Sequence, residues 1–179
     1  MDSMPRKGMH RKGGAGEARF LTFSCLDGRH HLQGRSTRCA IQQSLAAMIE
    51  IDALALHAWV IMGNHVHLLL TPRSETVEHA LAVLKSSIVR TLPLSERATQ
   101  QIWERGGGFD RLVWSERAYW NIFGYIHMNP VRAGLASMPE DWQWSSARDW
   151  RKQRRNTPFV RHPYWIEPWP QPKAERSEA

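Results

Sequence analysis

The stretch LALHAWVIMGNHVHLLLTP, residues 54–72, consists of two apolar runs separated by a glycine and an asparagine. Two apolar runs with such a dipeptide between them are typical of a β-hairpin. Pro72 has no N–H to donate to a neighbouring strand, so it favours the end of the second strand. We therefore predict a hairpin whose strands cover residues 54–62 and 65–71.

Two histidines, His65 and His67, stand one residue apart in the second predicted strand. Side chains at positions i and i+2 of a strand point to the same face, about 6–7 Å apart. Two neutral imidazoles at that spacing can bind one divalent ion, although a structural zinc site takes four ligands. The pair therefore favours an open, partly hydrated catalytic site. The alternative, two strand histidines hydrogen-bonded to their neighbours, stays open for an H-x-H pattern alone.

Periodicity predicts the elements on either side of this hairpin. Alternating side chains indicate a strand, and apolar residues at helical spacing after a serine or threonine indicate a capped helix. A proline after a helical pattern favours the end of the helix before it. The predicted elements are a strand over 18–26, a helix over 37–53 capped by Thr37, a helix over 74–92 capped by Ser74, a short strand over 109–114, and a helix over 115–129 capped by Ser115 and followed by Pro130.

This order of elements predicts an α+β fold. Two helices that interrupt a mostly antiparallel sheet are typical of a ferredoxin-like sandwich. We expect the helices on one face of the sheet, with the other face open. The length of 179 residues suggests one domain with tails. The predicted divisions are a flexible basic arm over 1–18, the folded domain over 19–150, and a basic tail rich in proline and tryptophan over 151–179.

The helix over 115–129 carries a candidate nucleophile. Tyr119 falls within an apolar stripe of this helix and is interpreted as a core residue. Tyr125 lies beside that stripe, one turn from Asn121 and from Asn129. The phenol of Tyr125 is a candidate nucleophile, and Asn129 could offer an oxygen ligand to the ion held by the histidines. The alternative for Tyr125 is a packing residue whose hydroxyl group meets water. Tyr164, in the proline-rich tail, is a weak candidate.

The charge balance favours an anionic partner. The chain has 24 lysine and arginine residues against 17 acidic ones, a formal net charge of +7, and nucleic acid is the first candidate for such a protein. No stretch approaches the ~18 apolar residues of a membrane span, and residues 1–18 lack the apolar core of a signal peptide. Cys25 and Cys39 lack metal-site spacing and are interpreted as reduced thiols. We expect a cytoplasmic protein associated with the nucleoid.

Basic residues in the C-terminal third are candidate DNA contacts. Arg132 follows the tyrosine helix and either contacts phosphate or is a surface residue at a helix end. A cluster further along could clamp a nucleic-acid backbone, or could be a solvated charge run. We interpret the nearby tryptophans as packing residues rather than base-stacking ones. The basic cluster consists of Arg151, Lys152, Arg154 and Arg155, and the tryptophans are Trp142, Trp144 and Trp150.

Three stretches together resemble a known family. HAWVIMGNHVHLLLTP, YIHMNPVRAGL and DWQWSS are similar to the REP-associated tyrosine transposases, within the wider group of single-tyrosine transposases and HUH endonucleases. The resemblance runs from about Phe20 to Trp150, so the predicted domain over 19–150 is interpreted as a single-tyrosine HUH domain. One departure is Gly63, where the family usually has proline before N-H-V-H. This changes the turn but removes no ligand.

The resemblance implies a function, a site and partners. His65 and His67 match the histidine pair that holds Mg²⁺ or Mn²⁺, Tyr125 matches the nucleophile, and Asn129 matches the polar residue that completes the protein ligands. The implied enzyme is a DNA transposase and single-strand endonuclease that cleaves and rejoins DNA at hairpins through a 5′-phosphotyrosine, in DNA transposition and recombination. The implied partner is single-stranded or hairpin DNA, with no small-molecule cofactor beyond the metal. Both monomers and dimers are compatible with this interpretation.

Three other functions remain as alternatives. The first is a non-catalytic, sequence-specific DNA-binding protein on the same fold, either a repressor or a domesticated transposase. The second is an RNA-binding sheet domain, although such domains usually carry aromatic residues on their central strands. The third is a metal-dependent hydrolase in which water attacks the phosphate and no protein adduct forms.

Overall fold

The structure, a computed structural model, describes residues 16–73, 77–91, 102–105 and 108–155. Two short 3₁₀ turns accompany the regular elements, at Leu26–Gly28 and Pro139–Asp141. Among the described residues, no helix is long and apolar enough to cross a membrane. The strands are β1 (Arg19–Ser24), β2 (Leu54–Ile61), β3 (His65–Pro72) and β4 (Phe109–Leu112), and the helices are α1 (Arg35–Glu50), α2 (Val77–Thr91), α3 (Glu116–Arg132) and α4 (Ala147–Arg155).

The four strands form one antiparallel sheet in the order β2-β3-β1-β4. The order of elements along the chain through β4 is βαββαβ, which confirms the predicted α+β, ferredoxin-like class. The predicted hairpin joins β2 to β3, and the Met62 N–H donates to the His65 carbonyl oxygen across its turn, at 2.9 Å. The register between these strands shifts between Leu56 and Ala58, so His57 is an extra residue in β2.

One face of the sheet packs against α1 and α2 in an apolar core. Strand residues alternate, so every second side chain of β1 and β3 points to this core. The helices contribute residues at three- and four-residue spacing, as their sequence periodicity predicts. This core includes Leu21 and Phe23 from β1, Val66, Leu68 and Leu70 from β3, Ile41 and Leu45 from α1, and Leu84 and Ile88 from α2.

The other face of the sheet is covered in part by α3, so the prediction of helices on one face only is wrong in that respect. Ala58 and Val60 of β2 and Leu69 of β3 point to this face and form a second apolar cluster with α3. The apolar stripe of α3 needs a partner, and these strands offer one because they are apolar on both faces. The stripe is buried as predicted and consists of Tyr119, Ile122, Phe123 and Ile126.

The helix boundaries confirm some predictions and correct others. Ser115 caps α3 as predicted, and its hydroxyl oxygen accepts from the Ala118 N–H. However, α3 continues through Pro130 to Arg132, because a proline in the last turn removes only one backbone hydrogen bond. Thr37 lies inside α1, whose N-cap is Gly34. The predicted cap Ser74 lies outside the described residues.

The segment before α4 lies along the outer edge of β2. The Ile61 N–H donates to the Trp144 carbonyl oxygen at 2.8 Å, and the Ser146 N–H donates to the Trp59 carbonyl oxygen at 3.0 Å. Trp144 is buried, and Trp142 is partly buried against both apolar clusters. The interpretation of these tryptophans as packing residues is therefore confirmed, and the segment satisfies backbone groups on an otherwise unpaired edge.

The predicted domain boundaries stay predictions. Helix α4 runs across the predicted boundary between 150 and 151. Residues 1–15 and 156–179, which make up most of the predicted arm and tail, lie outside the described residues. Cys25 and Cys39 are both free of disulfide bonds.

Candidate active site

The structure brings together the predicted histidine pair and tyrosine on the face of the sheet that α3 covers. The ring centroids of His65 and His67 are 4.6 Å apart, and those of His67 and Tyr125 are 5.4 Å apart. Asn129 lies one turn after Tyr125 on α3, close enough to His67 to influence its pKa. Tyr125 remains 39% exposed, whereas Tyr119 is 1% exposed. The site is therefore open to a substrate at the phenol of Tyr125.

A hydrogen bond fixes the orientation of His65. Its Nδ1 atom lies 2.7 Å from the Asn64 side-chain oxygen. The Asn64 amide nitrogen donates to the Gly28 carbonyl oxygen at 3.1 Å, which sets which way the amide points. Because an amide oxygen only accepts, His65 carries its proton on Nδ1 and keeps a lone pair on Nε2. An imidazole held in this way is ready to bind a cation through Nε2.

His67 is also held through its Nδ1 atom, by a hydroxyl group instead of an amide. Its Nδ1 atom lies 2.7 Å from the Thr22 hydroxyl oxygen on β1, which leaves Nε2 for a ligand. Burial and, to a smaller extent, the neighbouring His65 lower the pKa of His67 to about 3, although Asn129 raises it in part. Burial and the nearby His30 also lower the pKa of His65. Both rings are therefore neutral at physiological pH, the form that binds metal.

Asn129 is the third candidate donor of the site. Its side-chain nitrogen donates to the Tyr125 carbonyl oxygen at 3.2 Å, so its side-chain oxygen remains as the candidate ligand. Within the described parts of the chain, no cluster of three His, Cys, Asp or Glu side chains could hold a metal. Two imidazole nitrogens and one amide oxygen are nevertheless candidate ligands for a divalent ion, which would complete its coordination with water and phosphate oxygens.

Tyr125 is bordered by an aromatic ring and a cation. The Phe20 ring on β1 meets it edge-on with a centroid separation of 5.9 Å. The Arg132 guanidinium carbon, one helix turn beyond Asn129, lies 5.4 Å from the centre of the phenol ring. Of the predicted DNA contacts, Arg132 thus lies at the site itself.

Of the other predicted DNA contacts, only the side chain of Arg151 is described. Arg151 on α4 forms an ion pair with Glu140. The side chains of Lys152, Arg154 and Arg155 are not among those described, so their predicted role as a clamp stays a prediction. Tyr164 likewise lies outside the described residues.

Three residues that support the site were not predicted from the sequence. Thr22 could have been found, because alternation along β1 places it on one face with Phe20. Asn64 stands directly before the histidine pair, but only the fold shows that its amide is held by the turn at Gly28. The role of Phe20 depends on the pairing of β1 with β3, which brings its ring to 5.6 Å from that of His67.

Known proteins of similar sequence and fold indicate the same family as the sequence motifs. No family model matches the chain. A curated Haemophilus influenzae protein named "Putative REP-associated tyrosine transposase" is 29% identical over 96 residues, covering 48% of this chain and 54% of that protein. The chain thus spans about half the length of this relative. A solved structure of a REP-associated tyrosine transposase bound to a REP hairpin has a TM-score of 0.68, with 17% identity, and covers 91% of this chain and 93% of that one. The resemblance that the motifs indicate is therefore confirmed: this chain is similar in sequence to a REP-associated tyrosine transposase and shares the fold of another.

Proposed function

We propose that this protein is a metal-dependent transposase and single-strand DNA endonuclease that cleaves and rejoins DNA at hairpins through a 5′-phosphotyrosine. The observation that carries the proposal is the exposed phenol of Tyr125 beside two neutral imidazoles on the same side of the sheet. A nucleophile next to a set of cation ligands is the arrangement that phosphoryl transfer requires.

His65 and His67 would hold a divalent ion through their Nε2 atoms, and Asn129 through its side-chain oxygen. Such an ion supplies positive charge that stabilises the negative charge developing on the phosphate in the transition state. The imidazoles are held through their Nδ1 atoms, His65 by the Asn64 side-chain oxygen and His67 by the Thr22 hydroxyl group, so both Nε2 atoms remain for the ion. Arg132, beside the phenol ring, is placed to attract the phosphate of the substrate.

The reaction is a transesterification. The phenol oxygen of Tyr125 forms a bond to phosphorus and loses its proton. The bond between phosphorus and the 3′ oxygen of the preceding nucleotide breaks, and that oxygen takes up a proton to become a free 3′-OH. Because the phosphotyrosine bond keeps the energy of the phosphodiester, another 3′-OH can reverse the step and join new ends without ATP.

The proposed substrate is DNA with a hairpin and a single-stranded segment. The solved relative with the same fold is bound to a REP hairpin, and the net charge of +7 suits a polyanion. A single-stranded segment can bring its phosphate to a half-exposed tyrosine, whereas a continuous duplex keeps its bases stacked and paired.

The test is a search for a covalent adduct. The protein is incubated with end-labelled hairpin DNA carrying single-stranded flanks, with Mn²⁺, and analysed on a denaturing gel. The expected result is a labelled protein band that is absent from Tyr125→Phe and from His65→Ala. Tyr119→Phe is the matched control, because Tyr119 lies on the same helix but is buried in the core, and it keeps the band.

Three outcomes would contradict the proposal. A band that persists in Tyr125→Phe places the nucleophile elsewhere. DNA cleaved to a free 5′ phosphate with no adduct indicates a hydrolase that uses water. Tight hairpin binding with neither cleavage nor adduct indicates a non-catalytic DNA-binding protein.

A further inference from the structure

A row of aromatic rings extends from the site across β1 toward the edge of the sheet. The Phe20 ring lies at its centre, with centroids 5.6 Å from His67, 5.9 Å from Tyr125 and 5.7 Å from Phe109. Phe20 and Phe109 are both half-buried. One ring therefore separates the proposed nucleophile from the aromatic residue on the edge strand β4.

The strand register places an arginine on the same surface. Thr22 is paired with His67 on one side and with Phe109 on the other, and Phe20 is paired with Arg111. Residues directly opposite each other in antiparallel strands point to the same face. Arg111 is exposed, two residues after Phe109 on β4. The site face of this edge thus consists of Phe20, Phe109 and Arg111, which we call the edge shelf.

The position of the shelf is fixed by close backbone packing. Gly108, directly before Phe109, has φ +84°, and a Cβ atom there would overlap the Thr22 carbonyl oxygen. Only glycine allows this approach of β4 to β1. Helix α3 packs mainly against β2 and β3. On this face it therefore covers the end of the sheet that is away from β4.

We propose that the edge shelf binds the single-stranded nucleotides next to the phosphate that Tyr125 attacks, with a base stacked on Phe109 and a neighbouring phosphate on Arg111. This rests on the proposed function, which puts that phosphate at Tyr125. Half-buried aromatic rings next to an exposed arginine are the combination that single-stranded nucleic acid requires, because every base has a face to stack and every nucleotide a charge to pair. The net charge of +7 favours this occupant over a basic or neutral protein partner.

The experiment measures equilibrium binding in a Tyr125→Phe background, where no adduct forms. The probes are a DNA hairpin with single-stranded flanks and a series of the same DNA with one abasic nucleotide at each flank position in turn. Phe109→Leu keeps an apolar side chain but loses the ring, and it is expected to weaken binding of the intact probe by about fivefold or more. With the one abasic probe that lacks the stacked base, Phe109→Leu is expected to cause no weakening, because that probe has no base to stack on the ring.

Arg111→Gln provides an independent measurement. It is expected to weaken binding of every probe and to reduce the slope of log affinity against log salt by about one unit. Arg35→Gln is the matched control, because Arg35 is exposed on α1, across the sheet from the shelf, and it leaves that slope unchanged. Thermal unfolding of each variant checks that its fold is retained.

The outcomes separate this inference from the proposed function. The shelf is overturned if Phe109→Leu weakens binding of the intact probe and of every abasic probe equally, or does not weaken binding at all. It is also overturned if Arg111→Gln and Arg35→Gln have the same salt slope. An adduct at Tyr125 in the otherwise unchanged protein, without coupling to Phe109, overturns the shelf but leaves the proposed function. Coupling to one base without any adduct supports the shelf and contradicts the proposed function. Absence of DNA binding contradicts both.

Discussion

Two histidine–tyrosine pairs lie between the sheet and α3, and only one of them forms a candidate active site. His57 and Tyr119 have ring centroids 5.4 Å apart, the same separation as His67 and Tyr125. Both residues of the first pair are 1% exposed, whereas Tyr125 is 39% exposed. A ring contact between histidine and tyrosine therefore does not by itself make a site. Access for a substrate and a second cation ligand distinguish the two pairs.

The hydrogen bonds of the two histidines explain the difference. Nε2 of His57 is bonded to the Thr71 hydroxyl group at 2.8 Å, inside the core. Nε2 of His67 remains on the side of the open phenol, because its Nδ1 is the atom bonded to Thr22. The first imidazole satisfies a buried hydroxyl group, and the second is positioned to act with its neighbour His65.

The largest expected effect comes from removing one histidine of each pair. His67→Ala is expected to abolish measurable Mn²⁺ binding by titration calorimetry and to abolish the DNA adduct, because one of two imidazole ligands is lost. His57→Ala is expected to keep Mn²⁺ binding but to lower the free energy of unfolding by about 2–4 kcal/mol, since it leaves a cavity and an unpaired hydroxyl group. Urea unfolding measures the second effect. Loss of Mn²⁺ binding in both variants would contradict the distinction between the pairs.

A further histidine on this side of the sheet, His127, predicts how stability depends on pH. It is buried on α3, its Nε2 lies 2.7 Å from the Ser146 hydroxyl oxygen, and burial lowers its pKa to about 4. Below the unfolded pKa of about 6.5 the unfolded chain takes up a proton that the folded chain excludes, so stability falls as pH falls from about 6.5 to about 4. The contribution lost is on the order of 3 kcal/mol, since each pKa unit is worth about 1.4 kcal/mol.

His127→Gln tests this in urea unfolding with a chelator present, at pH 7.5 and pH 4.5. The variant is expected to lose less stability than the original protein between the two pH values, by about 2–3 kcal/mol. His67, whose pKa is lowered to about 3, keeps part of the dependence in both proteins. If the free energy of unfolding falls equally in the two proteins, His127 is protonated as easily in the folded chain as in the unfolded chain.

The orientation of His65, the neighbour of His67 in the site, depends on Asn64. Asn64→Ala removes the acceptor that holds the proton of His65 on Nδ1, so Mn²⁺ binding is expected to weaken by about 10–100-fold. Asn64→Asp keeps an oxygen acceptor and is expected to recover most of this loss. Asn121→Ala is the matched control, because Asn121 is exposed on α3 one turn before Tyr125. Equal binding in Asn64→Ala and Asn121→Ala would mean that the hydrogen bond does not position the imidazole.

Local periodicity predicted more of this fold than of the difference between the pairs. The hairpin, the Ser115 cap and the burial of Tyr119 follow from spacings of two and about 3.6 residues, which need only neighbouring residues. The packing of α3 on the second face, and the bulge that turns His57 toward α3, depend on how distant segments pair. The strand alternation that identified His65 and His67 fails at such a bulge, because one extra residue reverses the faces.

The close approaches of glycine were not predictable for the same reason. Gly108 is required by the β1 backbone, which is more than 80 residues away in sequence. Its neighbours in the loop give no local pattern that indicates contact with Thr22. The spacing along the tyrosine helix made Tyr125 and Asn129 candidates, the family resemblance implied the same roles, and the structure brings these two side chains and the two histidines to one place.

The smallest expected effect concerns Gly63, in the turn before His65. A Cβ atom at Gly63 would lie 2.6 Å from Nδ1 of the His30 imidazole, which is exposed and close enough to His65 to lower its pKa. Gly63 does not have a positive φ, so the backbone itself accepts alanine. Gly63→Ala is therefore expected to cost only about 0.5–1 kcal/mol of unfolding free energy, the cost of moving one exposed side chain.

The double variant decides whether His30 is the cause. In a His30→Ala background the clashing imidazole is removed and Gln33 Cγ, 3.5 Å away, is only in ordinary contact with the added Cβ atom. Gly63→Ala is therefore expected to have no destabilising effect there, and the two substitutions are non-additive. Urea unfolding of the two single variants and the double variant measures the coupling. Additive effects would show that glycine is needed by the turn and not by the imidazole.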